Sequence, residues 1–370
     1  MSENLLFTPF YRLHELAGAK FVPFAGFSMP IQYELGIKKE HLHTREKAGL
    51  FDVSHMGQVR LTGKNVKQEL EKLVPVDIID LPLMKQRYAL FTNEQGGVLD
   101  DLMVTNVGDE ELFLVVNAAC KEADVAYLKA KLTDCEVTLF EDKALLALQG
   151  AKAREVMAKL SPEAARMTFM EASNLTLSGI KCFVTCSGYT GEDGYEISVD
   201  NDDAERLAKV LLDFSDVEWI GLGARDSLRL EAGLCLYGHE LSAEISPVEA
   251  GIRWAISKAR RADGIRAGGY QGADIIMKQM NEGTAFKKLA FIAQGKAPVR
   301  DGSILVDEHN QEIGVVTSGG YSPSLSVPIA LGRVETSYSE SNIFALVRNK
   351  KIAMKVVKLP FVKQKYYRGV

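Results

Sequence analysis

Cysteine is scarce in this 370-residue chain and carries no pattern: Cys120, Cys135, Cys182, Cys186 and Cys235 are odd in number and include no C-x-x-C pair. This excludes a disulfide framework or a zinc knuckle as the organising device and fits a reducing compartment. Cys182 and Cys186 are expected as small core residues on one face of a strand. No apolar run approaches the ~20 residues of a membrane span. The opening residues, Met1 to Phe7, lack a basic segment and a long apolar one; the expectation is a protein away from membranes, in the cytosol where it is made. Neither sign of charge dominates, since 44 Lys and Arg stand against 49 Asp and Glu for a net charge of −5. With no global basic field, nucleic acid is not expected as a partner.

Several catalytic signatures are also missing. There is no H-E-x-x-H and no tight histidine spacing, so no metal is expected. No serine lies in G-x-S-x-G, which leaves acyl-enzyme hydrolysis without a motif. Gly221-x-Gly223 lacks a third glycine and a preceding strand, and no Walker A run exists, so nucleotide binding through either motif is set aside.

The composition that remains, 46% apolar and 25% charged with 31 glycines and 11 prolines, is that of a globular protein. Its length calls for two or three domains. Thr8-Pro9 reads as an N-cap hydroxyl and a proline at the first helical position, with Gly18 ending the helix. Further helices are expected near Lys38 to Lys47, over Val66, Leu70 and Leu73 with Asn65 as cap, from Lys121 to Leu132, near Arg154 and from Ala204 to Phe214. Between Arg87 and Asn117, three apolar runs cut by turn residues predict an antiparallel meander, and Ile180 to Val199 predicts a hairpin. Strands and helices do not alternate regularly enough for a doubly wound sheet, so the class is α+β. Past about residue 285, apolar runs at 288–293, 303–306, 313–317, 327–333, 343–347 and 352–358 predict a separate barrel or sandwich. The basic, aromatic end from Lys363 to Arg368 is expected to fold back on the body or meet an acidic partner.

Three segments carry chemistry. Tyr189-Thr190-Gly191-Glu192-Asp193-Gly194-Tyr195-Glu196 crowds phenols and carboxylates onto one turn, which suits a flat heterocycle with N–H donors. It equally suits a hairpin whose Gly191 and Gly194 take positive φ. Asp100 and Asp101 interrupt an apolar strand; the period of two sends their carboxylates to opposite faces, so they are not an acid/base dyad, yet an acid in a half-buried strand needs a partner or a function. Arg225 and Arg229 lie four apart on one helical face and could hold a carboxylate or belong to an ion-pair network.

Taken together with Asp52-Val53-Ser54-His55-Met56-Gly57, with Gly96-Gly97-Val98-Leu99-Asp100-Asp101-Leu102 and with Gly223-Ala224-Arg225-Asp226-Ser227-Leu228-Arg229-Leu230-Glu231-Ala232-Gly233, these motifs resemble the aminomethyltransferase, or T-protein, family of the glycine cleavage system, and the resemblance runs the length of the chain. It implies a three-domain cloverleaf of mixed antiparallel-sheet domains around a central hole that binds tetrahydrofolate. The implied domains are 1–54 with 141–275, 55–140, and a C-terminal β-barrel domain over 276–370. The implied reaction moves the methylene of an aminomethyl group, carried on the lipoyl arm of H-protein, to tetrahydrofolate, giving 5,10-methylenetetrahydrofolate, ammonia and the dihydrolipoyl carrier.

Carried over residue by residue, the resemblance implies Asp101 as the acid beside folate N5 and N10, with Tyr88 and Asn117 as its pocket partners. It places Met56 against the pterin, Tyr189 beside the ring, Glu196 as acceptor of the pterin N–H groups and Arg229 as a basic folate contact. A carboxylate near N10 can accept or relay the proton lost on ring closure and favour a cationic N5-iminium. A basic contact to the glutamyl tail is implied near the C-terminus, where Lys363, Lys365 and Arg368 all remain candidates. Lys38, Lys39 and the cluster from Lys258 to Arg266 are expected to face an acidic lipoyl carrier, and a monomer with transient contacts is expected. A folate-dependent demethylase with another donor, or a folate-binding protein without catalysis, stays open as an alternative.

Overall fold

The computed structural model describes residues 5–338, 342–348 and 350–369; residues 1–4, part of the opening segment read above, lie outside the described residues. Three β systems organise the described chain. The first is a six-stranded sheet in the order Ala172–Leu177, Ile180–Thr185, Gly194–Asp200, Lys143–Gln149, Ala48–Asp52 and Val217–Trp219, antiparallel except for the last pair. Its burial is almost complete along Ala48–Asp52 and Lys143–Gln149, as expected of central strands covered on both faces.

The second sheet runs Gln86–Thr92, Val98–Gly108, Glu111–Val116, Gly57–Thr62 and Glu136–Leu139. Its first three strands are the meander read from the turn residues, with Leu90 opposite Asp101 and Leu102 opposite Val116. The third system is a closed barrel of Phe286–Ala293, Val327–Glu335, Glu312–Ser322, Ile304–Val306, Ile343–Val347 and Lys350–Val357. These six strands coincide with the six apolar runs of the sequence, and closure leaves the barrel no free edge. A short hairpin, Lys20–Phe24 with Phe27–Gln32, stands apart.

Eight α-helices occur among the described residues: α1 (Tyr11–Leu16), α2 (Ile37–Glu46), α3 (Val66–Glu71), α4 (Lys121–Lys131), α5 (Ala153–Leu160), α6 (Asn201–Leu212), α7 (Leu222–Glu231) and α8 (Ala273–Glu282). None is long and apolar enough to cross a membrane. Each β system has its own core. Leu50, Leu146, Leu148, Tyr195 and Ile197 anchor the first, Leu61, Leu70, Phe91 and Leu114 the second, Phe291, Leu305 and Val316 the third. Cys182 and Cys186 lie in the first core, and all five cysteines are unpaired.

Three local expectations change, the simplest being that Gly221-x-Gly223 does follow a strand, Val217–Trp219, and opens α7, although the third glycine is still missing. The first helix begins at Tyr11 rather than at Pro9, because the Thr8 hydroxyl is drawn away from capping by the buried Asp52 carboxylate, to which it donates at 2.6 Å. The His14 ring completes that site, with Nε2 3.0 Å from Asp52 and Nδ1 2.9 Å from the Tyr33 hydroxyl. In the turn before Tyr195, Gly191 takes a φ of +78°, but Gly194 does not take positive φ; it begins the strand Gly194–Asp200 opposite Gln149. Its lack of a side chain serves packing, since a Cβ there would fall 2.5 Å from the Leu148 carbonyl oxygen.

Candidate active site

A cavity of about 860 Å³ lies where the two sheets, α7, the barrel and the C-terminal tail converge, and Met56, Tyr88, Asp101, Asn117, Tyr189, Glu196 and Arg229 all line it. Its size is within the range of cofactor-sized sites, roughly 300–1,000 Å³. The residues reach it from separate elements. Met56 follows the turn in which Asp52 Oδ1 accepts the Ser54 amide at 2.9 Å. Tyr88 and Asp101 sit in neighbouring strands, and Asn117 stands just past the third strand of the meander.

Asp101 is the most fully defined of these groups. The Tyr88 hydroxyl donates to Oδ2 at 3.0 Å and the Asn117 amide nitrogen to Oδ1 at 2.9 Å. The same amide donates at 2.9 Å to Asp100, whose carboxylate lies on the buried side of the strand. Burial, reinforced by the Asp100 charge, pushes the Asp101 carboxyl up to about 7, while the Tyr88 and Asn117 hydrogen bonds work against the rise. An acid poised there exchanges protons readily at neutral pH.

The other wall is built on the hairpin and α7. Ser187 donates to Glu196 Oε2 at 2.9 Å, and burial raises the Glu196 carboxyl despite that bond and the nearby Arg225 charge. Tyr189 is fixed through its hydroxyl, which donates to the Cys235 carbonyl. The Arg225 guanidinium lies 4.8 Å from the centre of the Tyr189 ring. Its Nη1 is buried without a hydrogen-bond partner, and burial lowers its proton affinity. An orphaned guanidinium nitrogen beside a buried carboxylate and an aromatic face fits a planar, polar ring with both donors and acceptors.

Arg229 behaves differently. Its Nε donates to Asp226 at 2.8 Å, Nη1 to the Leu234 carbonyl at 3.2 Å and Glu240 at 3.1 Å, and Nη2 to Ser318 at 3.0 Å, while Nη2 also forms an ion pair with Asp226 at 2.8 Å. Each of the three guanidinium nitrogens therefore has a partner within the protein. The spacing of four that pairs the two arginines on one helical face is present, but the residue with a free donor is Arg225.

Sequence reasoning passed over two aromatic groups at the cavity, Trp254 and Phe169. Trp254, 63% exposed, stands at the cavity with its ring 5.3 Å from Tyr88. Tyr366 stacks on Phe169 at 4.1 Å, and the Arg368 guanidinium lies 4.9 Å from that same ring; all three line the cavity. The tail does fold back: Lys365 is drawn to Glu192 at 3.1 Å, which leaves Arg368 as the tail cation at the cavity. A stack of Phe169 on Tyr366 joins residues far apart in sequence, and no local pattern announces it.

The expected basic face from Lys258 to Arg266 is largely spent inside the fold. Arg260 is buried against Glu71 at 3.2 Å, and Arg266 pairs with Glu71, Asp77 and Asp80. Lys38, Lys39 and Lys258 remain exposed. No group of three or more His, Cys, Asp or Glu placed to hold a metal occurs among the described residues.

Comparison with known proteins places this geometry in context. Residues 10–260 match the family model described as the GCVT N-terminal domain, and residues 287–363 match the glycine cleavage T-protein C-terminal barrel domain. The chain is 45% identical to the mitochondrial aminomethyltransferase of Pisum sativum, over 98% of this chain and 90% of that protein. It is 43% identical to that of Dictyostelium discoideum, over 99% and 94%. The crystal structure of glycine cleavage system aminomethyltransferase T from Bartonella henselae superposes with a TM-score of 0.93 at 41% identity, covering 99% of this chain and all of that one.

Proposed function

The chain belongs to the glycine cleavage T-protein family and is a tetrahydrofolate-dependent aminomethyltransferase, and we propose from this premise how its own residues divide the work. Asp101 is the proton-handling group. Held by Tyr88 and Asn117 and poised near neutrality, its carboxylate accepts the proton released as the product ring closes and offsets positive charge developing at the reacting nitrogen. The bound folate supplies the two nucleophilic nitrogens.

The pterin ring sits between the two walls, with Met56 and Tyr189 on its apolar surface and Glu196 accepting its N–H groups. Arg225 takes the basic contact expected of Arg229, because it alone of the two has a buried guanidinium nitrogen without a partner. Arg229 instead ties α7 to the loop at Glu240 and to the barrel at Ser318, which fixes the helix that presents Arg225. Arg368 is the tail cation placed to meet the glutamyl carboxylates. Orientation of this kind turns a two-body encounter into a near-unimolecular step.

The donor is the aminomethyl group on a lipoylated H-protein, and the chain acts as a monomer that meets this carrier transiently. Exposed Lys38 and Lys39 suit an acidic carrier surface. The three domains correspond to 1–54 with 141–275, 55–140 and 276–370, each built on one of the three β systems. The unpaired cysteines fit a reducing compartment, and the cytosol is the one proposed, although the pea and Dictyostelium relatives are mitochondrial. The observation that carries this reading is Asp101, half-buried and proton-poised on the wall of a cavity of folate size. The test is to mix the protein with tetrahydrofolate and aminomethyl-loaded carrier and to follow ammonia and methylenetetrahydrofolate together. Equal, carrier-dependent formation is expected; folate binding without either product would remove the donor assignment.

A further inference from the structure

Glu192 and Asp193, two carboxylates of the turn between Tyr189 and Glu196, do not line the cavity; both are spent on the C-terminal tail. The turn is itself anchored, since Arg45 of α2 donates to the Thr190 carbonyl at 2.9 Å, pairs with Glu192 at 2.9 Å and reaches Glu231 of α7 at 2.9 Å. The Glu192 side chain is wholly buried, and its Oε1 also takes the Lys365 ammonium at 3.1 Å. The Gly191 carbonyl accepts the Lys365 amide at 2.9 Å. Asp193 Oδ1 accepts the Tyr367 amide at 3.1 Å, while Oδ2 holds Arg154 at 2.8 Å, whose guanidinium lies 4.1 Å from the centre of the Tyr367 ring.

Along the tail the contacts alternate, as they do in an extended chain whose successive side chains point to opposite sides. Lys365 and Tyr367 are held by the turn; Gln364, Tyr366 and Arg368 line the cavity. A slip of one residue would exchange the two sets and turn Lys365 and Tyr367 towards a ligand in place of Tyr366 and Arg368. The described chain forms no strand beyond Val357, so no ladder of strand hydrogen bonds fixes this register. Val362 and Gln364 tie the start of the tail to the end of α7, at 3.0 Å and 3.1 Å. Past that point the tail is held by the turn and by the Phe169 amide, which donates to the Tyr367 carbonyl at 2.7 Å.

We propose that Glu192 and Asp193 are positioning residues for the far end of the ligand: by holding Lys365 and Tyr367 they set the register in which Tyr366 and Arg368 face the cavity. The glutamyl contact is thereby tied to the same turn that presents Tyr189 and Glu196 to the pterin. A cation held in place before the ligand arrives costs less ordering on binding, so affinity for the glutamyl end depends on a latch that touches no ligand atom. The latch serves specificity, because a tetrahydropterin without the benzoylglutamyl half gains nothing from it.

This inference rests on the tetrahydrofolate reading and on Arg368 as the glutamyl cation. The probes are tetrahydrofolate and 6-methyltetrahydropterin, which lacks the benzoylglutamyl half, each titrated against the full chain. Glu192 is kept, since Arg45 would otherwise lose a buried partner, and the latch is opened from its other sides with Lys365→Met/Asp193→Ala. This variant should bind tetrahydrofolate about 10-fold more weakly and the pterin within about twofold of wild type. Chymotrypsin should cleave its ligand-free tail at Tyr366 and Tyr367 faster than that of the wild type. Asp193→Asn in place of Asp193→Ala keeps an acceptor for the Tyr367 amide and should recover part of the lost affinity. In an Arg368→Met background, opening the latch should add less than about a twofold loss, because the residue it positions is gone. Equal weakening of both ligands, unchanged cleavage, or a full additional loss in the Arg368→Met background would each overturn the proposal. Arg368→Met with undiminished tetrahydrofolate affinity would overturn the glutamyl contact and the proposal with it, whereas a loss there beside an unaffected latch variant would overturn the latch alone.

Discussion

Asp101 is half-buried on the cavity wall and Glu231 is fully buried, and the protein drives the two carboxyl groups in opposite directions. Around Glu231, Arg45 Nη2 lies at 2.9 Å and His41 Nε2 at 3.0 Å, and Ser324 donates at 2.7 Å with Ser322 beside it. Burial by itself would raise the Glu231 carboxyl, but the bonds to His41, Ser322 and Ser324 hold it down at about 2. Around Asp101 stand a phenol, an amide and a second carboxylate, and the carboxyl rises to about 7. Burial alone does not decide a carboxylate's state; the sign of its neighbours does. The first site joins α2, α7 and the barrel as a permanently charged clamp, and the second is left able to gain and lose a proton.

Exchanging the acids should expose this division. Asp101→Asn is expected to give the largest effect, a turnover loss on the order of 10³-fold with folate affinity and melting temperature little changed. Steady-state kinetics beside a folate titration checks it, and unaltered turnover would remove the proton-handling role. Glu231→Gln should do the converse. With Arg45 and His41 left facing a neutral amide, stability should fall by about 3–5 kcal/mol in denaturant unfolding, and loss of turnover without loss of stability would contradict the clamp.

Within the pocket, Glu196→Ala and Arg225→Met should each weaken folate binding by roughly 10- to 100-fold, the cost of a charge-assisted hydrogen bond. Arg229→Met should instead lower stability and leave the dissociation constant closer to wild type. A folate titration showing Arg229→Met weaker than Arg225→Met would reverse the assignment of the two arginines.

The smallest effect is a tilt in stability with pH. Asp101 holds a proton in the native state between its ordinary value of 3.8 and about 7 that the unfolded chain has released, so its contribution to stability falls as pH rises through that window. Glu231 is the reverse: between its ordinary 4.5 and about 2 the unfolded chain binds the extra proton, and stability is lost as pH falls. Melting curves against pH should therefore lose their downward slope above pH 4 in Asp101→Asn and part of their acid collapse in Glu231→Gln.

Much of this was legible before any coordinates. The six barrel strands follow their apolar runs because alternation and turn residues are local properties. The meander that carries Asp101 was equally plain, and the thirteen-residue step from Tyr88 spans the hairpin that brings its hydroxyl to that carboxylate. The start of α1 was misread because the Thr8 hydroxyl has a better acceptor, Asp52, 44 positions away. The use of Arg260 and Arg266 in burying Glu71 was equally hidden, since those partners lie 189 and 195 positions apart.

The two arginines of α7 mark the boundary. The sequence by itself determined that Arg225 and Arg229 share a helical face, because 3.6 residues per turn allow nothing else at a spacing of four. It likewise determined the family, through motifs whose order spans the chain. Only the tertiary structure decided which guanidinium is consumed and which is offered. Glu240 and Ser318 arrive at Arg229 from a loop and from the barrel, 11 and 89 positions away, and no partner arrives at Arg225 Nη1. Periodicity is a property of the local chain, whereas desolvation and ion pairing act between whatever the fold brings within a few ångströms.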